Sequence, residues 1–181
     1  MSDVLLPLAV AFALGVPIAL VLRRVFVVGG DLRRDAQLGR MAVDIVHRTD
    51  LSLDELALAV DDLRRRKADP AATEASLRAC AEALRRYARE AAVVDKHVAS
   101  PGGGGLRAEI ERAQRAVELV EHGRQLMLEG RFEGLAEGET SVKRGYLNLL
   151  HARDAIHAKG AAIAAASDPA GTEAGWRLRH R

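Results

Sequence analysis

Residues 4–22 form an apolar run without a single charged side chain. In a helix that rises about 1.5 Å per residue, a run of this length spans roughly 28 Å, close to the ~30 Å hydrocarbon core of a bilayer. Asp3 is the only charged side chain before the run. Five arginines follow the run: Arg23, Arg24, Arg33, Arg34 and Arg40. By the positive-inside rule, these flanks predict a membrane anchor with its N-terminus outside.

A cleaved secretory signal is the competing interpretation of the same run. Such a signal begins with a basic stretch, which this chain lacks, so the flanks favour a retained anchor. We therefore predict a single-pass protein of the inner (plasma) membrane with most of its chain in the cytoplasm. The predicted organisation is an anchor, a basic juxtamembrane segment, a cytoplasmic helical bundle and a disordered basic tail, at residues 1–28, 29–40, 41–165 and 166–181.

Composition favours an all-α fold. Aromatic residues make up only 3% of the chain, and Ala, Leu, Arg and Glu, which are good helix formers, are abundant. Strand-like alternation is absent apart from the β-branched residues at 25–28. We predict an antiparallel bundle of the four-helix type, made of hairpins 41–98 and 106–165 joined by the Gly-rich linker 99–105.

The net charge of +2 arises from the juxtamembrane segment, and the rest of the chain is close to neutral. This balance gives no extended footprint for nucleic acid, which is not expected as a partner. The single cysteine, Cys80, lies on an apolar helix face and is expected to be a buried, reduced thiol.

Local signals predict where the helices begin and end. The first cytoplasmic helix is expected to end near Arg48, because Thr49-Asp50 breaks the pattern and Ser52 to Glu55 fits a capping box that starts the next helix. Asp69-Pro70 predicts another start. The glycines between 130 and 138 predict an interruption, with the last helix beginning near Glu139.

The predicted helix that begins at Leu106 carries a second apolar strip, formed by Leu119 and Leu126. This strip lies almost opposite the main apolar face of the helix. Such a strip has to be covered, either by a neighbouring helix or by another subunit, so a homo-oligomer is one possible outcome. We therefore name these leucines as the predicted interaction face.

The six histidines suggest a metal site, because Asp44-x-x-His47 and Asp154-x-x-His157 have carboxylate-histidine spacing. However, a helical wheel places His47 opposite the apolar stripe of its helix, whereas metal ligands in bundles project inward. We predict solvated histidines, no metal and no cofactor.

Residues Ile156-His157-Ala158-Lys159-Gly160 somewhat resemble the motif of histidine phosphotransfer domains, which are four-helix bundles. The resemblance implies that His157 would accept a phosphoryl group beside a lysine. Those domains place the lysine three residues after the histidine, whereas here it comes two after. The alternative interpretation is a plain helix C-terminus rich in small residues.

Arg144 and His151 lie seven residues apart on one helical face. The segment is loosely similar to the Arg-(four to six residues)-His motif of HEPN-type ribonucleases, which are also helical bundles. The resemblance implies acid-base chemistry on RNA. The polar residue expected after the arginine is Gly145 here, and an exposed pair without a catalytic role is the favoured interpretation.

The C-terminal tail contains Trp176 among arginines, a combination attracted to the interface of an anionic membrane. A solvated tail is the equally weighted alternative. From the anchor and the lack of catalytic motifs, we predict a membrane-tethered adaptor, scaffold or accessory subunit whose partners are the bilayer and a protein or membrane complex. The phosphotransfer and ribonuclease hypotheses are the enzymatic alternative.

Overall fold

The computed structural model describes residues 5–97, 104–130 and 132–167, with side chains at 34–97, 104–130 and 134–167. The described residues form no strand, and the predicted all-α helical bundle is confirmed. The helices are α1 (Leu5–Arg64), α2 (Glu74–His97), α3 (Leu106–Glu129) and α4 (Phe132–Ser167), and a 3-10 turn at Pro70–Thr73 precedes α2.

Each helix packs antiparallel to the next, and α4 returns to lie against α1. Asp95 near the end of α2 accepts hydrogen bonds from the backbone amides of Leu106 and Arg107, both at 2.9 Å, and so caps the start of α3. Between α4 and α1, Ser167 at the end of α4 packs against Gly39. Consequently α1 and α3 run in the same direction and lie diagonally across the bundle.

The predicted break at Thr49-Asp50 is wrong, because α1 continues through it to Arg64. The Thr49 hydroxyl donates to the carbonyl of Ile45 at 2.7 Å, and the Ser52 hydroxyl donates to the carbonyl of Arg48 at 3.1 Å. Both hydroxyls are therefore satisfied within the helix, where Ser52 does not act as a cap. The two helices predicted from the sequence are one helix.

The predicted interruption begins at Gly130, as expected, but its predicted extent to residue 138 is wrong. Gly130 alone ends α3 in the left-handed conformation, with φ 67°, and α4 begins at Phe132 rather than near Glu139. Gly138 lies inside α4 and packs against Gly123 of α3. The glycines in this region therefore mark one turn and one close helix contact.

The predicted start at Asp69-Pro70 is confirmed. The Asp69 carboxylate accepts a hydrogen bond from the amide of Ala71 at 2.9 Å, and Pro70 begins the 3-10 turn that leads into α2.

The core contains side chains from all four helices. Its largest fully buried members include Ile45, Leu56, Leu84, Ile110, Leu149 and Ile156. Cys80 is buried and has no disulfide partner, as predicted. Burial, assisted by the charge of Glu55, raises the pKa of the Cys80 thiol to about 12, so the thiol stays protonated at neutral pH.

Within the described part of the chain, no helix has the length and apolar character needed to cross a membrane. The predicted anchor run at 4–22, together with Arg23, Arg24 and Arg33, lies outside the residues whose side chains are described, and so does Trp176. Arg34 is exposed. The anchor remains a prediction from the sequence.

Candidate interaction site

The α3–α4 groove is an open depression of about 540 Å³ on the outside of the bundle. Six residues line it: Arg112, Arg115, Ala116, Leu119, Asn148 and His151. Ala116 and Leu119 supply apolar surface, and the arginines with His151 supply positive or titratable groups. The groove thus combines apolar and basic chemistry in one place.

The groove borders a very close approach between the two helices. A Cβ atom at Gly145 would lie 2.5 Å from Cγ2 of Val120, and one at Gly123 would lie 2.6 Å from the carbonyl oxygen of Gly138. These glycines allow the two backbones to approach closely, and longer side chains line the groove beside them. This packing explains why the residue after Arg144 is a glycine.

The positive charge of the groove is only partly neutralised. Nη1 of Arg112 lies 3.0 Å from Oε2 of Glu109, although this buried oxygen accepts no hydrogen bond. Among the described residues, neither Arg115 nor His151 has an ion-pair or hydrogen-bond partner. An unpaired arginine beside a leucine can bind an acidic group on an apolar surface.

The structure brings some of the predicted site residues together and separates others. Leu119 and His151 both line the groove, and Leu126 is half-buried two turns further along α3. Arg144 is exposed and is not part of the groove lining. The two groove arginines, Arg112 and Arg115, carry no motif and were not identified from the sequence.

His157 belongs to a polar network that joins α4 to α1. Its Nε2 lies 2.9 Å from Oδ1 of Asp50, and Arg153 donates to the same oxygen at 2.5 Å. Arg153 also pairs with Asp54 at 2.7 Å. Partial burial acts to raise the pKa of Asp50, but the hydrogen bonds from Arg153 and His157 outweigh it and lower that pKa. These contacts give His157 a role in holding two helices together.

The other residues of the phosphotransfer-like segment also have packing explanations. Gly160 is buried against the side chain of Val46, where a Cβ atom would collide with that valine. Lys159 is half-buried. The small residue therefore serves the contact between α4 and α1.

A second groove, of about 410 Å³, lies between α2 and α3. Beside it, Arg124 is buried, with 4% of its surface exposed, and donates to both carboxylate oxygens of Glu121 at 2.7 Å. The hydrogen bond from Arg124 is the main reason why the pKa of Glu121 is lowered. A further hydrogen bond of 3.4 Å joins Arg124 to the carbonyl of Pro70. Arg124 is thus paired within the bundle, unlike Arg115 of the α3–α4 groove.

The outward face of α1 carries two exposed leucines seven residues apart. Leu58 is 72% exposed and Leu51 is 53% exposed. Glu55 and Asp62 flank Leu58 on the same face and are exposed, with no side-chain partner among the described residues. This face was not identified from the sequence, because the buried stripe dominates the pattern of the helix, although the heptad spacing of the leucines is visible there.

Three other histidines lie at the surface of the described bundle. His47, His97 and His122 are exposed, as the helical wheel predicted. Asp44, the carboxylate expected beside His47, instead pairs with Arg48 at 2.8 Å. In residues 34–97, 104–130 and 134–167, no group of three or more His, Cys, Asp or Glu side chains is arranged to hold a metal ion.

Comparison of the chain with protein-family models, curated proteins and solved structures finds no match.

Proposed function

We propose that this protein is a membrane-tethered cytoplasmic scaffold or adaptor, whose helical bundle holds a protein partner at the membrane. The observation that carries the proposal is the continuity of α1 from Leu5 to Arg64. One helix joins the apolar run to the buried core without a flexible linker. Leu38 lies 16 positions after Leu22, which at about 1.5 Å per residue corresponds to about 24 Å of helix.

Because a helix transmits orientation along its length, this connection would hold the bundle at a set height above the bilayer. The core begins at Leu38, which is only 6% exposed. A bundle held in this way presents its side faces, including the α3–α4 groove, parallel to the membrane normal. Side faces are therefore available to neighbours that occupy the same membrane.

The position of the C-terminus also supports a membrane-facing end. Ser167 packs against Gly39, so α4 ends at the end of the bundle nearest to the apolar run. The following residues, 168–181, include Trp176 and lie outside the described residues. Fully extended at about 3.3 Å per residue, they would reach roughly 46 Å, enough to return to the headgroup region. This geometry favours contact between the basic tail and anionic lipid.

The enzymatic alternatives receive less support from the described contacts. His157 is exposed, but its Nε2 contacts Asp50 in an interhelical network rather than being free to accept a phosphoryl group. Arg144 lies outside the groove that His151 lines, so the two do not form one pocket. A scaffold, or an accessory subunit of a membrane complex, accounts for the same surfaces without requiring a catalytic role for His151 or His157.

Purification of the full chain from its native membranes in mild detergent, with a C-terminal tag, tests the proposal. We expect the chain in the membrane fraction, together with a stoichiometric protein partner or further copies of itself. Arg115→Glu should lower that association, and the matched control Arg89→Glu, on the exposed face of α2, should leave it unchanged. Recovery of the native chain from the soluble fraction, or as a monomer alone, would contradict the proposal.

A further inference from the structure

We infer that the α3–α4 groove binds α1 of a second copy of this chain, with Leu58 as the side chain that enters it. Copies would then associate side by side in one membrane. The common orientation of the copies rests on the proposed membrane tether, whereas the match between the two surfaces stands on the described side chains.

The two surfaces have complementary chemistry. Leu58 projects from the outward face of α1 with 72% of its surface exposed, and acidic Glu55 and Asp62 lie three residues before it and four after it. The groove offers Leu119 as apolar surface and Arg115 as an unpaired cation. A leucine flanked by acids therefore meets a leucine flanked by a base, the combination found in helix pairs with apolar seams and charged edges.

The two surfaces also lie at the same level along the bundle. Arg64 of α1 lies over the ring of Tyr146 in α4, 5.3 Å from its centroid, and Asp54 of α1 pairs with Arg153 of α4 at 2.7 Å. Leu58 lies between the two α1 positions. The groove residues Asn148 and His151 lie between the two α4 positions. Two copies standing at one height in a membrane thus present the leucine and the groove at one level.

The direction of the helices agrees with this arrangement. Because α1 and α3 run in the same direction within the bundle, α1 of one copy would pack parallel to α3 of its neighbour. The two surfaces lie on different sides of the bundle, so the contact is heterologous: in a pair, one copy keeps a free groove and the other keeps a free Leu58 face. Repetition gives a ring or a row of copies. Confinement in a membrane raises the effective concentration and favours even a small contact.

Symmetric pairing of either surface is electrostatically less favourable. Two α1 helices packed in parallel would place Glu55 and Asp62 of each copy beside the same acids of the other. Two grooves packed together would oppose Arg112 and Arg115 to their own counterparts. Like charges in contact disfavour both arrangements, whereas the heterologous contact pairs acids with arginines.

Cysteine cross-linking in native membranes tests the inference. The full chain carrying both Leu58→Cys and Asn148→Cys is treated with a short bifunctional maleimide. We expect a ladder of dimers, trimers and larger species, because each copy contributes one cysteine to each of two contacts. Cys80 is buried with a raised pKa and should not react. In the matched control, Val93→Cys, on the exposed face of α2, replaces Asn148→Cys. The chain carrying Leu58→Cys and Val93→Cys should give no ladder.

Charge reversal separates a specific contact from crowding. Adding Glu55→Lys and Asp62→Lys to the double-cysteine chain should lower the yield of cross-linked species at least about tenfold, and Arg115→Glu in the same chain should restore part of it. Dimers from Leu58→Cys alone would indicate a symmetric contact and overturn the inference. Absence of a ladder from chain found in the membrane fraction would also overturn it, while leaving the tether intact. Recovery of the chain in the soluble fraction would instead contradict the tether.

Discussion

Helix α4 contacts its two neighbours in opposite ways. Against α3 it uses glycines, and Gly138 and Gly145 bring the two backbones so close that a single added carbon would collide with the other helix. Against α1 it also uses charges: Arg153 and His157 reach across to Asp50, beside glycine contacts at Gly160 and Gly39. One helix therefore combines a seam set by volume with a seam set by charge.

The difference shows where the molecule is rigid and where it responds to solution conditions. Backbone atoms in the α3–α4 seam cannot move aside, so that seam tolerates little added volume. The strength of the ion pairs in the α1–α4 seam depends on the protonation of their side chains, which are partly open to water. The α3–α4 groove lies beside the rigid seam.

The largest effect is expected from added volume in the glycine seam. In Gly123→Val, the new Cβ would lie 2.6 Å from the carbonyl oxygen of Gly138 and 2.8 Å from the amide nitrogen of Val142, both backbone atoms. We expect a loss of about 3 kcal/mol in the free energy of unfolding. Denaturant unfolding of the full chain in mild detergent, followed by circular dichroism, measures it.

Ala79→Val on the exposed face of α2 is the control for this substitution, because it adds the same kind of side chain where no helix opposes it. Its cost should stay within about 0.7 kcal/mol, the difference in helix propensity. Equal losses for the two variants would mean that the helices do not approach as closely as described.

A smaller effect is expected from the charged seam. Asp50→Asn removes the carboxylate that accepts from Arg153 and contacts His157, but it keeps nearly the same volume. We expect a loss of about 1–2 kcal/mol, because the network is only partly exposed and Asp54 still pairs with Arg153. The same unfolding measurement applies, and no loss at neutral pH would contradict the proposed role of this network.

The pH dependence should differ between the two seams. The folded-state pKa of Asp50 lies below its ordinary value of 3.8, so its contribution to stability is present above that value and is lost as the pH falls through the folded-state pKa. The stability difference between the native chain and Asp50→Asn should therefore shrink below pH 3.8, whereas the deficit of Gly123→Val should persist. Unfolding curves between pH 6 and about pH 2.5 compare them. If the stability loss of Asp50→Asn did not change with pH, the claim that ionised Asp50 stabilises the α1–α4 seam would be contradicted.

The smallest effect on stability is expected at the exposed face of α1. Leu58→Ser changes a side chain that is 72% exposed and belongs to neither seam, so the free energy of unfolding should change by less than about 0.5 kcal/mol. Co-purification of an untagged copy with a tagged copy from native membranes should nevertheless fall in this variant. A large loss of stability in the isolated chain would place Leu58 in the fold rather than at an interface.

The sequence predicted the buried faces well, because hydrophobic periodicity is a local signal. Spacing alone predicts the inward stripe of α2 as Leu77, Cys80, Ala81, Leu84, Ala88, Ala91 and either Val94 or Val98. Ala81 is half-buried and Val98 lies outside the described residues, whereas the others are buried. Predictions of helix ends failed where packing overrides local preference. Thr49 satisfies its hydroxyl inside the helix, and Gly138 serves a contact with α3 that no local signal reveals.

The candidate site could be predicted only in part, for a related reason. Leu119 and His151 were singled out individually, since each lies on a face that periodicity defines. Their proximity to one another and to Arg115 depends on the register of α3 against α4, which the buried glycines set. That register is a tertiary property, so the groove was not visible in the sequence.

Thiol labelling in intact cells tests the central claim most directly, namely that α1 joins a membrane anchor to a cytoplasmic bundle. Single cysteines are introduced as Ser2→Cys, before the apolar run, and as Arg89→Cys, on exposed α2, and the cells are treated with a membrane-impermeant maleimide. We expect labelling of Ser2→Cys in intact cells and of Arg89→Cys only after permeabilisation. Protection of both cysteines until permeabilisation would contradict the claim.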